Sequence, residues 1–459
     1  MAVSRSNNQG KDLNKIPSLD YSNEEELNED TRLMYEKYKD KMDDAKPAPK
    51  KEHKPRASLD VCIFMRDRTG IHVQLEEGHQ AEADDLFDIV LQDQGLPAEC
   101  EDVFALWLVS PLLELRLKKK HKPFFMVQQW DELCSKYTDA KAEEIHDDEP
   151  VLMFQRNVFF PKEQEVNITY EQVLRILYHE AKYNVLEGRY ILNSDEYHTL
   201  AGIQALLSMD KYNSRDHIIE TYRASLHQYY PEHVYRKPSG FFARRKSQGP
   251  KDAIEERWLN AHRQISQEYE NEDIDSKRGE LYRRYLEYLW PYPFYGAAFF
   301  DSFINKPQGK LGFLKRSHNI ETWTAINTNG VCLIDREKDE VLLAVPYTEL
   351  CWEYGEPQFD VDDDSFPCVF LQFLVNERTP DGVERRVTKV LQVYSRQAKM
   401  MIALIESCVE RKKLLRRGIP AIDDVDGMTG QNEFHARCIN KLGKMCLTTF
   451  TTSGMNNNQ

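Results

Sequence analysis

The sequence predicts an α+β multidomain protein of three folded units: a β-rich roll, an all-helical bundle, and a second β-rich roll closed by one helix. Three observations carry that prediction. The apolar period lengthens from about two to about 3.6 near residue 167 and shortens again after residue 294. The helical stretch stops at YLWPYPFY, where Pro291 and Pro293 fall among five aromatics. Seven short β-rich runs then precede one long amphipathic segment. At 459 residues the chain exceeds one ordinary core, and its 41% apolar and 11% aromatic content is that of a folded protein.

Residues 1–57 are rich in Asn, Lys and Glu and end in AKPAPKKEHKPR. They are expected to be disordered, with a short helix around RLMYEKYKDKM. The first unit spans 58–163. Two β-rich runs flank DRTG as a hairpin, and AEADDLFDIVLQDQGL reads as a helix with Leu86, Ile89, Val90 and, a turn on, Asp93 on adjoining faces and Gly95 as its stop. The strands DVFALWLVS and LLELRL follow, then a short helix MVQQWDELCSKYT, an acidic loop and the strand VLMFQRNVFF. That is the element order of a ubiquitin-like roll.

The second unit, 164–293, is a helical bundle. TYEQVLRILYHEAKYNVLEGRY starts at Thr169 as N-cap and lines up Val173, Leu174, Leu177 and Ala181. Four further helical stretches end with KRGELYRRYLEYLW, which Pro291 terminates. Trp290, Tyr292, Phe294 and Tyr295 are then expected on the seam between two packed units, buried without forming an exposed patch. In 294–413 seven strands and the helix RQAKMMIALIESCVERKK give the element order of a PH/PTB-like roll. Residues 414–459 show no sustained pattern and are expected to be mostly disordered.

The net charge of −15 argues against general nucleic-acid affinity. The nine cysteines include no C-x-x-C pair and read as free thiols of a reducing compartment. No stretch nears eighteen apolar residues, and no signal-like, myristoylation or prenylation sequence is read. The expected location is the cytoplasm, with any membrane contact peripheral.

This arrangement, with Tyr295, Gly296, Phe299 and Phe300 at the seam and the phrases EDVFALWLVSPLLELRLKKKHKP, RNVFFPKEQEVN and LRILYHEAKYNVLEGRY, resembles the FERM family over about 58–412. The resemblance implies a three-lobed cloverleaf: ubiquitin-like roll, acyl-CoA-binding-protein-like helical bundle and PH/PTB-like roll. It further implies a non-enzymatic adaptor at the inner face of the plasma membrane. That adaptor would hold the cytosolic tail of a polytopic membrane protein, an inactive rhomboid protein, and control its surface level or trafficking, with a possible link to Wnt co-receptor signalling. A Ras-like small-GTPase effector and a membrane–cytoskeleton linker stand as alternatives. The second lobe reads LYHEAKYNVLEG rather than the ezrin-type phrase, and no actin-binding region follows the third lobe, which disfavours the linker.

Enzyme motifs fail on inspection. His179-Glu180 begins a zincin H-E-x-x-H, but residue 183 is Tyr. Asp360, Asp362 and Asp364 match the first three positions of an EF-hand loop, where Ser365 and Leu371 then replace the required Gly and Glu. No phosphate loop, dinucleotide fingerprint or nucleophile elbow occurs, and no cofactor is implied. In PTB-like rolls a peptide adds beside the fifth strand against the C-terminal helix. The corresponding walls here are Cys351, Trp352 and Tyr354 on the strand, with Met401, Ile405 and Val409 on the helix; the competing reading is that most of these are core. Trp352 is the best single anchor. Lys118, Lys119, Lys120 and Lys122, and the cluster ARRKSQGPK, read either as solvated loops or as contacts to anionic lipid such as a phosphoinositide.

Overall fold

The computed structural model describes residues 58–235, 253–305, 319–356, 366–378, 384–417 and 450–451. The 1–57 tail, ARRKSQGPK, the Asp360–Asp362–Asp364 loop and most of the C-terminal tail lie outside the described residues. Two compact units divide the chain. Among described residues the smaller holds 58–60 and Gln74–Gly78, the start of one strand and the end of the next; the larger holds Val61–Val73 and everything from His79.

β1 (Ser58–Met65) and β2 (Gly70–Glu76) form the expected hairpin. Its turn puts Arg68 at φ 67°, while Asp67 Oδ1 accepts from the Thr69 N–H at 3.0 Å. α1 (Ala83–Gln94) opens with a reciprocal Glu82–Asp85 capping box and ends where Gly95 takes φ 62°. β3 (Phe104–Val109), β4 (Glu114–Arg116) and β5 (Val151–Arg156) complete a sheet ordered β2-β1-β5-β3-β4, with β1 and β5 parallel. The single helix expected before β5 is two, α2 (Pro123–Gln128) and α3 (Trp130–Tyr137). The break turns Trp130 into the core, where its Nε1 donates to Asp148 at 2.8 Å. The acidic loop also holds a short helix, α4 (Ala142–His146), because Glu144 caps the Lys141 N–H at 2.8 Å and Ile145 is buried.

A short α5 (Lys162–Glu165) leads into α6 (Glu171–Leu186) and α7 (Ser194–Met209). Val173, Leu174, Leu177 and Ala181 are buried along α6 as their spacing requires. Its cap is Tyr170, not Thr169. Arg283 of α11 (Arg278–Leu289) grips the Ile168 and Val166 carbonyls at 3.0 and 2.7 Å, so a tertiary contact shapes the turn that starts this helix. The run around SRDHIIETYRASLHQYY is broken into α8 (Ile219–Ala224), a 3-10 turn at Leu226–Gln228 and α9 (Glu232–Tyr235). Breaking it brings Tyr222, Tyr229 and Tyr230 around the buried Trp258 of α10 (Ile254–Glu268).

The third roll has the seven expected strands: β6 (Ala298–Ile304), β7 (Ile320–Ile326), β8 (Gly330–Asp335), β9 (Glu340–Pro346), β10 (Leu350–Gly355), β11 (Cys368–Arg378) and β12 (Glu384–Tyr394). Their order is β10-β11-β12-β6-β7-β8-β9, and the sheet turns its corner at Tyr394↔Phe303, whose rings stack at 5.0 Å. α12 (Ala398–Arg416) packs on β10, β11 and β7. A two-residue β13 (Phe450–Thr451) pairs with β12, inside a stretch for which no pattern is legible in the sequence.

The seam is buried as expected. Trp290, Phe294 and Tyr295 are at most 7% exposed, and Tyr292, only half-buried, stacks on Phe294 at 4.9 Å. Gly296 takes φ 65°, and a methyl there would strike the Arg156 guanidinium. Gly296→Ala is therefore expected to destabilise by at least about 1–2 kcal/mol from the left-handed backbone alone, measured by urea unfolding; an unchanged midpoint would show that the seam relaxes freely.

Candidate partner-binding site

Two places bear on function: the hub that fixes the lobes and the groove beside β10. At the hub, Arg156 ends β5 with 6% exposure and Glu165 of α5 is fully buried. Arg156 Nε donates to Glu165 Oε2 at 2.8 Å, while Nη1 and Nη2 donate to the carbonyls of Asn157, Gly296 and Phe160. Glu165 Oε1 accepts from Trp290 Nε1 at 2.9 Å and from the Tyr295 hydroxyl. Burial disfavours the Arg156 charge, yet the Glu165 carboxylate beside it holds the guanidinium pKa above its ordinary value. Asn327 of the third lobe donates to the Pro293 and Tyr295 carbonyls at 2.9 and 3.1 Å. Lys162 holds the carbonyls of Trp290 and Tyr292, both at 2.9 Å. Every lobe thus has residues in one polar cluster. Sequence reasoning missed it, although the signal is visible: a cation closing the apolar strand VLMFQR and an acid nine residues on.

β10 is an edge strand whose ladder partner is β11. Its Leu350 and Trp352 face inward, 1% and 2% exposed, while Cys351 and Tyr354 are half-buried. On α12, Met401 and Ile405 are fully buried and Val409 is half-buried. Trp352, Met401 and Ile405 are therefore parts of one hydrophobic core rather than open groove walls. The helix must bury one stripe on the sheet, and these residues are that stripe. The strand edge and the rim residues Tyr354 and Val409 remain as candidates, whereas Cys351 alternates with Trp352 and lies on the sheet face away from α12. Tyr354 lies close enough to Glu356 and to Asp139 of the first lobe for both carboxylates to add to the desolvation that raises its phenol pKa to about 12.

The basic run on the first lobe makes contacts within that lobe. Lys119 pairs with Glu101, with Asp84 at 3.6 Å, and Lys122 donates to Gln80 at 2.8 Å. Phe125 and Val127 of the adjoining α2 are 39% and 40% exposed. His179 and Glu180 are half-buried, and Glu180 Oε2 accepts from the Arg156 N–H at 2.6 Å. Tyr183, at the failed zincin position, lies under the Arg66 guanidinium at 4.4 Å. Among the described residues no group of three His, Cys, Asp or Glu is placed to hold a metal ion, and no helix is long and apolar enough to cross a membrane.

Ubiquitin-like roll, helical bundle and PH/PTB-like roll, with a buried polar hub and an edge strand beside the last helix, define a FERM protein. The family model described as FERM central domain matches residues 163–300, and that described as KRIT1/FRMD8, FERM domain C-lobe matches 320–404. FERM domain-containing protein 8 of Xenopus tropicalis is 34% identical over 390 residues, covering 85% of this chain and 83% of that protein. The Homo sapiens protein of the same name is 36% identical over 354 residues, covering 77% and 74%. Among solved structures, the human Myosin 7b C-terminal MyTH4-FERM domain in complex with harmonin-a PDZ3 superposes with a TM-score of 0.51 at 15% identity. That match covers 77% of this chain and 60% of the other, and it speaks for the fold alone. The chain belongs to the FERM domain-containing protein 8 family and is a FERM adaptor-like protein.

Proposed function

We propose that this protein is a non-enzymatic adaptor that holds an extended segment from the cytosolic tail of a polytopic membrane protein, adding it as a strand to the outer edge of β10 beside α12. The observation that carries the reading is an edge strand flanked by a long helix, with half-buried Tyr354 and Val409 at the rim. Backbone bonds to the edge supply affinity, and alternate peptide side chains reach the rim. The resemblance drawn from the sequence extends this proposal to an inactive rhomboid protein as the tail's owner, with its surface level, trafficking and Wnt co-receptor signalling as the processes affected. The protein then works in the cytoplasm at the inner face of the plasma membrane, where the basic run Lys118, Lys119, Lys120 and Lys122 adds attraction to anionic lipid of about 1 kcal/mol per lysine.

The test is proximity labelling in cells, comparing the native chain with a Tyr354→Arg, Val409→Glu double variant whose melting is unchanged. These rim positions spare Trp352 and Ile405, whose loss would open the core. Labelling of a polytopic membrane protein should fall at least about tenfold, the factor that 1.4 kcal/mol of lost binding produces. Labelling that survives places the partner on another lobe. Enrichment of a GTP-loaded Ras-like protein instead identifies an effector, and co-sedimentation with actin filaments a cytoskeletal linker.

A further inference from the structure

Where β3 and β5 of the first lobe meet the end of α6 and the 296–299 backbone, there is a cavity of about 30 Å³. Trp107 and Gln155 reach it from the same face of the sheet, because Gln155 lies opposite Ala105, two residues from Trp107. Each is 5% exposed. Arg189 reaches it from the second lobe, with Nη2 3.8 Å from Glu114 Oε1 and its guanidinium 5.6 Å from the Tyr183 ring centre and 5.4 Å from that of Trp323. Three buried atoms of these residues have no hydrogen-bond partner among the described residues: Trp107 Nε1, Gln155 Oε1 and Arg189 Nε. Buried polar atoms of this kind are rare in native proteins, and three around one small cavity call for a common explanation.

We propose that this cavity is a binding site for an ordered water molecule that joins the first lobe to the second. Its two lone pairs accept from Trp107 Nε1–H and Arg189 Nε–H, and one O–H donates to Gln155 Oε1. The second O–H is left for Glu180 or Glu114, which also line the cavity. Size and charge select water over an ion. A water needs roughly 10–15 Å³ and two to four polar partners; the cavity offers about 30 Å³ and three. The charged lining is Arg66, Arg156 and Arg189 against Glu114 and Glu180, and Arg156 is already matched by Glu165. An anion would meet two carboxylates, and a cation two guanidinium groups. A neutral molecule that both donates and accepts meets no like charge.

The direct test is a crystal structure of the full chain at water-resolving resolution, grown in a bromide salt. The expected result is a density peak at hydrogen-bond distance from all three atoms without anomalous signal. No peak, a bromide signal there, or direct pairing of Gln155 with Trp107 or Arg189 would each overturn the proposal. Thermal melts test it in solution. Trp107→Phe and Arg189→Lys each remove one donor to the same water, and each should lower Tm by roughly 2–4 °C. Together they should lower it by less than the sum, because the first change already loosens the water that the second acts through. Strictly additive losses would mean two independent packing defects and no shared water.

Discussion

Arg156→Met is expected to lower the free energy of unfolding by about 3–5 kcal/mol, because it leaves the fully buried Glu165 carboxylate without its counter-ion. Methionine keeps most of the side-chain volume, so little of that loss comes from a cavity. The charge on Glu165 would still receive hydrogen bonds from Trp290 Nε1 and the Tyr295 hydroxyl. Those neutral donors do not offset the loss of a cation at 2.8 Å. Three carbonyls, of Asn157, Gly296 and Phe160, lose donors in the same step, and they belong to the segments where the lobes meet. Adding Glu165→Gln to Arg156→Met should recover part of the stability, since a neutral amide needs no counter-ion and still accepts from Trp290. Denaturant unfolding of the native chain, both single variants and the double variant measures the pair. A single-variant loss below about 1 kcal/mol would put the pair in the class of surface ion pairs and remove the hub from the account.

That hub marks where the sequence stops being readable. The three lobes, the seven strands of the third roll and the burial of the Trp290–Tyr295 seam follow from period, turn residues and proline placement, all local signals. The Arg156–Glu165 pair spans only nine residues, but its reason for burial lies in Trp290, Tyr295 and Gly296, and no local period encodes a contact across 140 residues. The same limit applies to the groove. A long helix after seven strands is legible, as is the strand it packs beside. Whether Trp352 points into the core or out to a partner depends on the pleat and on the register Trp352↔Leu371, and Leu371 is itself fully buried. The broken helix around Tyr222–Tyr230 was hidden for a related reason: helical spacing of its residues lost to the aromatic packing around Trp258.

Acid should weaken the second lobe before ordinary carboxylates titrate, and His262 is one cause. The ring is fully buried in α10. Its Nε2 donates to the Asp210 carbonyl at 2.8 Å, so in the neutral ring Nδ1 accepts from the Tyr222 hydroxyl, also at 2.8 Å. Adding a proton at Nδ1 removes that acceptor and places a charge 5.0 Å, ring centre to ring centre, from His217. Desolvation accordingly lowers the His262 pKa to about 4. The unfolded histidine titrates near 6.5, so below that pH the unfolded chain binds a proton that the folded one refuses. The stabilisation is full above pH 6.5 and is lost progressively as pH falls towards 4, on the order of 3 kcal/mol in all. His179, lowered to about 4 by desolvation, acts in the same direction. Glu180 and Asp339, whose carboxyl pKa values desolvation raises, act in the opposite one. His262→Gln separates these contributions, because an amide can donate to the Asp210 carbonyl and does not titrate. Unfolding free energies at pH 7.5, 6 and 5 should show a shallower decline for the variant, whatever its starting stability. Parallel declines would assign the acid sensitivity to other groups and leave the buried His262–Tyr222 pair as packing alone.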